Sequence, residues 1–117
     1  MSTETDLIKR YFDAFNRHDL EAVMDCFAPD AVILGSDGRR TEGEEEIRKS
    51  YAKSFETFPD GKCVPRTLLG ADGSGSVESV FRGTRAKNDE SVELIGVEVL
   101  EFKGDKITAL RDYHSRT

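Results

Sequence analysis

The absences in this 117-residue chain narrow its function first. No apolar run approaches the ~20 residues that cross a bilayer, and the opening stretch from Met1 to Asp6 lacks the basic and apolar regions of a signal peptide. A cytoplasmic protein is therefore expected. There is no excess of positive charge either: 17 Lys and Arg against 23 Asp and Glu leave a net charge of -6, with the cations scattered along the chain. Phosphate contacts need a basic surface, so neither a nucleic-acid partner nor an anionic membrane is expected. Cysteine is scarce: Cys26 and Cys63 form no CxxC and join no Cys/His cluster, which reads as two reduced structural thiols. With only two histidines and no recognisable ligand spacing, neither a metal site nor a cofactor is expected.

What is present is periodic. Length sets the expectation of one domain, and 37% hydrophobic with 34% charged residues is the balance of a globular protein. Leu7, Ile8, Tyr11, Phe12 and Phe15 share a stripe of a 3.6-residue helix, opened by Thr3 and Asp6 in the pattern of a capping box. Leu20, Val23, Met24 and Phe27 repeat the stripe after a polar turn, with Asp19 as N-cap and Ala28-Pro29-Asp30 as the predicted end of the second helix. A short strand at 31–34 turns at Ser36-Asp37-Gly38 into 39–42. Glu44, Glu45 and Glu46 then open a third helix whose stripe is Ile47, Tyr51, Phe55 and Phe58, negative charge being favoured at a helix N-terminus.

From Lys62 the period changes from 3.6 to 2. Segments 62–71, 75–87, 91–103 and 106–115 read as strands separated by Asp72-Gly73, Asn88-Asp89 and Gly104-Asp105. Residues 92–102 are apolar on both alternating faces, so this strand is expected to be covered on both sides. The order predicts an α+β class: three N-terminal helices packed on one face of a strongly curved antiparallel sheet, a cone enclosing a cavity.

The chain resembles the nuclear transport factor 2-like superfamily, with its ketosteroid isomerase-like and SnoaL-like branches. The resemblance spans nearly the whole sequence. It rests on Arg10-Tyr11 and Phe15-Asn16 leading to Asp19-Leu20, on residues Phe27 to Ala31, on Gly43 with Ile47, and on Phe58-Pro59-Asp60. It continues through Phe81-Arg82-Gly83-Thr84, Gly104-Asp105-Lys106-Ile107 and Arg111-Asp112-Tyr113. It implies that Tyr11 matches the isomerase's oxyanion-hole tyrosine and Glu98 its protonated carboxylic acid, while the position of its general base holds Gly35. Asp37 lies two residues further on, in a turn, and the missing base argues against a steroid isomerase. The SnoaL-like pattern of a last strand ending in a carboxylate is replaced by Tyr113-His114-Ser115. The same alignment puts Val77, Ser79, Phe81, Leu100 and Phe102 on cavity walls beside Glu98, and Glu78, Arg82, Val97, Val99 and Glu101 on the outer face.

On the last strand Leu110, Asp112 and His114 share a face. Tyr11, Glu98, Asp112 and His114 are the candidate catalytic residues; Phe15, Val77, Ser79, Phe81, Leu100, Phe102 and Leu110 are the candidate ligand wall. A neutral His114 oriented by Asp112 accepts a proton, and Tyr11 with a partly protonated Glu98 polarises an oxygen. The expected function is cofactor-independent acid/base chemistry on a small apolar molecule: isomerisation, cyclisation, dehydration or epoxide opening. The competing reading is a non-catalytic ligand-binding or dimerisation module. In it Tyr11 is a core residue, Glu98 pairs with Arg66, Arg82 or Lys53, and His114 lies in a fraying strand end; His18 is expected to be solvated. A homodimer through the outer sheet face, centred on Val97 and Val99, is expected in either case.

Overall fold

The structure is a computed structural model and describes residues 3–117. Helix α1 (Glu4–Asn16) starts at the expected capping box: the Asp6 N–H donates to Thr3 Oγ1 and the Thr3 N–H to the Asp6 carboxylate, each at 3.2 Å. Leu7, Ile8, Tyr11 and Phe12 are buried. Helix α2 (Leu20–Asp25) is capped by Asp19, whose carboxylate accepts the Ala22 N–H at 3.1 Å. His18 occupies the left-handed turn between them at φ 52°. It is not simply solvated, because Nε2 bonds the Gly61 carbonyl at 2.8 Å and the ring stacks on Phe55 with centroids 4.4 Å apart.

The second helix ends earlier than its apolar stripe suggests. Strand β1 (Phe27–Leu34) already includes Phe27, which pairs with Ile107, and Ala28-Pro29-Asp30 lies in that strand. Phe27 thus continues the helical spacing while belonging to the next element. Register shifts between Phe27 and Val32, and such an irregularity tolerates a proline that has no N–H for the ladder. Strand β2 (Arg40–Glu42) completes the hairpin, and α3 (Glu44–Thr57) follows, with Phe58 as its C-cap.

The remaining strands are β3 (Lys62–Ala71), β4 (Ser74–Thr84), β5 (Ser91–Lys103) and β6 (Lys106–Arg116). β4 stops at Thr84 because Arg85 turns the chain, its N–H donating to the Glu90 carbonyl at 2.9 Å. The six strands form one sheet in the order β2-β1-β6-β5-β4-β3. All neighbours are antiparallel except β1 and β6, which run parallel, so the sheet is mixed. α1 packs on β3 and β4, and α3 on β1 and β2, placing the helices over one face. Ile8, Val23, Ile47, Val77, Leu100 and Ile107 are fully buried between the layers. Among the described residues no helix is long and apolar enough to cross a membrane.

Register positions the site. On the inner face of β4, β5 and β6, Val77, Glu98 and Asp112 lie in one row; Ser79, Gly96 and His114 form the next. Glu78, Val97 and Tyr113 face the other way, as do Arg82, Val99 and Glu101. That outer face is not covered within the chain: Ile95 is 54% and Tyr113 55% exposed.

Candidate active site

A pocket of about 280 Å³ opens between α1, α3 and the inner sheet face. Tyr11, Glu98, Asp112 and His114 all reach it, as do Phe15, Phe81 and Leu110. Val77, Ser79, Leu100 and Phe102 do not line it. Val77 and Leu100 are completely buried and Ser79 is 1% exposed, because α1 lies directly on that end of the sheet; Phe102 packs against the same core. The wall instead includes Gly35, Asp37 and Arg39 from the β1–β2 turn, and Tyr51, Ser54 and Phe58 on the α3 side.

Tyr51 is the functional candidate that the periodic reading treats only as a stripe residue. Its hydroxyl is hydrogen-bonded to that of Tyr11, both rings being buried. Burial raises both phenols above their ordinary value, so both remain neutral. Two hydroxyls sharing one hydrogen bond leave one O–H proton for a third group.

Glu98 sits 8% exposed on the pocket floor, with its Oε2 fully buried and without a hydrogen-bond partner. None of the expected cations neutralises it; Arg82 is paired instead with Glu93 at 2.5 Å. Desolvation, reinforced by the nearby Asp112 carboxylate, pushes its pKa up to about 8. The carboxyl is therefore predominantly neutral at pH 7.

His114 is neither frayed nor neutral. Its side chain is only 5% exposed, with Nδ1 bonded to Asp112 Oδ1 at 2.5 Å and Nε2 to Ser79 Oγ at 2.8 Å. The hydrogen bond to the Asp112 carboxylate is the main cause that raises its pKa to about 10 against desolvation. As an imidazolium it donates through both nitrogens and has no lone pair with which to accept a proton. Its ring must cross Gly96 to reach Ser79, since those three residues are in register on adjacent strands. Ser36 fixes the other side, accepting the His114 N–H at 2.8 Å and donating to the Asp112 carbonyl at 3.0 Å. β1 ends its pairing with β6 at Leu34 and Arg111, and the Ser36 side chain takes over the next backbone groups.

Glu98, Asp112 and His114 offer ligand atoms within 4.8 Å of one another, close enough to be considered for one cation. The fit is poor, because both ring nitrogens of His114 are already committed to Asp112 and Ser79. The arrangement is instead a neutral acid beside a carboxylate held by an imidazolium.

These charge states predict how stability varies with pH. Glu98 moves from 4.5 to about 8 and His114 from 6.5 to about 10, so the native state binds each proton more tightly than the unfolded chain. Stability then falls as pH rises, through Glu98 between 4.5 and 8 and through His114 between 6.5 and 10. Urea midpoints measured across this range should decline, and Glu98→Gln should leave only the upper part of the decline. Midpoints that climb across the same range would contradict both assignments.

Comparison with known proteins identifies the fold and the family. The family model of the SnoaL-like domain matches residues 8–110. An NTF2-like protein of unknown function from Burkholderia pseudomallei superposes with a TM-score of 0.83 at 21% identity, covering 100% of this chain and 92% of that one. IdmH, a candidate polyketide cyclase from Streptomyces antibioticus, gives 0.83 at 19%, covering 98% and 92%. A candidate SnoaL-like polyketide cyclase from Jannaschia gives 0.83 at 15%, covering 97% and 84%. Among curated proteins none matches. At these identities the structures establish the fold alone, while the family match extends over most of the sequence: the chain belongs to the SnoaL-like family.

Proposed function

We propose that the pocket binds a small, mainly apolar carbonyl compound and moves a proton on it by acid/base chemistry, in a reaction of the isomerase, cyclase or dehydratase type. The observation that carries this reading is Glu98 Oε2, a buried carboxyl oxygen with no partner on the pocket floor. Buried polar atoms are almost always satisfied, and an orphan aimed into a cavity is explained by a ligand that satisfies it. A neutral Glu98 donates to the ligand's oxygen, and the free proton of the Tyr11/Tyr51 pair supplies a second donor. Asp112 is the proton acceptor. His114 holds that carboxylate and offsets its charge, a positioning role in place of the expected base. Two carboxyl groups with opposed environments thus divide the acid and base tasks.

Candidate polyketide cyclases among the structural neighbours are compatible with this class of chemistry. The test is proton exchange: enolisable single-ring ketones incubated with the protein in D2O should lose α-proton NMR signal faster than in buffer. Gly35 lines the pocket where the resemblance places a base, which favours a second, binding-only reading. Ketone binding without exchange would select it and remove the catalytic proposal.

We also propose a homodimer through the outer sheet face. Val64, Ile95 and Tyr113, at 44%, 54% and 55% exposure, form its apolar centre together with Val97 and Val99. An exposed apolar sheet face on a small protein is a marker of association. Light scattering should give twice the chain mass at micromolar concentration, and Ile95→Lys should halve it; a wild-type monomer rules the dimer out.

A further inference from the structure

The pocket has a second polar end that the proton chemistry leaves unused. Its floor presents the neutral Glu98 carboxyl and the tyrosine hydroxyls, and its middle is walled by Phe15, Phe58, Phe81 and Leu110. Its mouth is lined by Arg39 from the β1–β2 turn and by the hydroxyl residues Thr41, Ser50 and Ser54. Arg39 is exposed and, among the described residues, has no carboxylate within ion-pair distance; its neighbour Arg40 is taken up by Glu42 at 3.3 Å. Asp37, the one acidic residue at this rim, turns back on its own loop, where Oδ1 accepts the Arg39 backbone N–H at 2.9 Å. The guanidinium is therefore left for something that enters the pocket. The planar fork of its N–H donors matches a carboxylate or a phosphate bidentately, and the carboxylate is the smaller of the two, which suits a pocket of about 280 Å³.

Resting on the reading of the pocket as a carbonyl site, we infer that its ligand is a keto acid of one ring: carbonyl oxygen on Glu98 and the tyrosines, apolar body on the aromatic wall, carboxylate at Arg39. A cavity of about 280 Å³ lies at the small end of ligand pockets, which typically span ~300–1,000 Å³. A volume of that size favours a small ligand, such as one ring with its substituents. The inner end disfavours the carboxylate, since an anion there would face the Asp112 carboxylate out of bulk water. The two polar ends therefore fix a single orientation.

The test compares two ketones that differ only at the outer end, 4-acetylbenzoate and 4-methylacetophenone, by NMR titration at low ionic strength. Wild-type protein should bind the carboxylate about fivefold more tightly, the upper range for an exposed ion pair, and added salt should erode the preference. Arg39→Gln should bring the two affinities together without changing that of 4-methylacetophenone. Glu98→Gln should weaken both alike. Equal wild-type affinities, or a preference that survives Arg39→Gln, would overturn the keto-acid assignment while leaving the carbonyl site standing. Failure of both ketones to bind would overturn the carbonyl site and the assignment with it.

Discussion

Glu98→Gln is expected to slow ketone α-proton exchange by a factor of ~100 to 1,000, the usual contribution of a positioned general acid. Glutamine fills the same volume and still donates a hydrogen bond through its amide, so ligand binding should fall far less than the rate. What it loses is the transferable proton. The fold should not suffer, because Glu98 has no ion pair or hydrogen bond at Oε2 to forfeit. Removing a buried carboxyl that ionises only above about pH 8 should even raise the urea midpoint in alkaline buffer. This opposite movement of rate and stability separates a functional carboxyl from a structural one. A variant that exchanges at the wild-type rate would take Glu98 out of the mechanism.

Gly96→Ala is expected to have the largest effect on stability, a loss of about 3 kcal/mol, the upper end for overpacking a well-filled interior. A Cβ at this position would collide with the Tyr113 carbonyl oxygen and lie 2.6 Å from the His114 Cα, both atoms of the adjoining strand. Backbone cannot step aside as a flexible side-chain tip can. The same methyl would also intrude on the path of the His114 ring across β5 to Ser79. Two readouts should therefore move together: the urea midpoint falls, and His114 titrates nearer its ordinary 6.5 than about 10. A variant as stable as wild type with His114 still shifted would refute the role given to Gly96.

Much of the fold was legible because packing and period agree. Leu7, Ile8, Tyr11 and Phe12 bury together at helical spacing, and the strands after Lys62 follow alternation and turn residues closely. The misreading at Phe27 has a physical origin: its side chain faces the core from a strand at the place the helical stripe would have put it. The parallel pairing of β1 with β6 is beyond local pattern, since it joins residues 77 to 80 apart in sequence. On the outer face the expected phase holds, yet Val64, Leu69, Ile95 and Tyr113 are its exposed large hydrophobic residues, while Val97 and Val99 are half-buried.

At the site, the period of two puts Asp112 and His114 on one face of the last strand and the family resemblance adds Glu98; all three lie around one pocket. Their charge states were less accessible. Whether His114 is a base or a fixed cation depends on Ser79, two strands away, and on a glycine that lets the ring across. Val77 and Leu100 share the phase of Glu98 but sit under α1, so alternation alone cannot distinguish pocket wall from core. Tyr51 carried no signal beyond its place on the α3 stripe, and Arg39 none beyond a turn.

The proposed chemistry turns on Glu98 being a neutral acid at the floor of the pocket. It is tested most directly by 13C NMR of the protein labelled at glutamate Cδ, with Glu98→Gln identifying the resonance. A carboxyl still largely protonated at pH 7 and titrating near 8 is expected. A Glu98 resonance that is fully ionised at pH 7, with its midpoint near the ordinary 4.5, would contradict it.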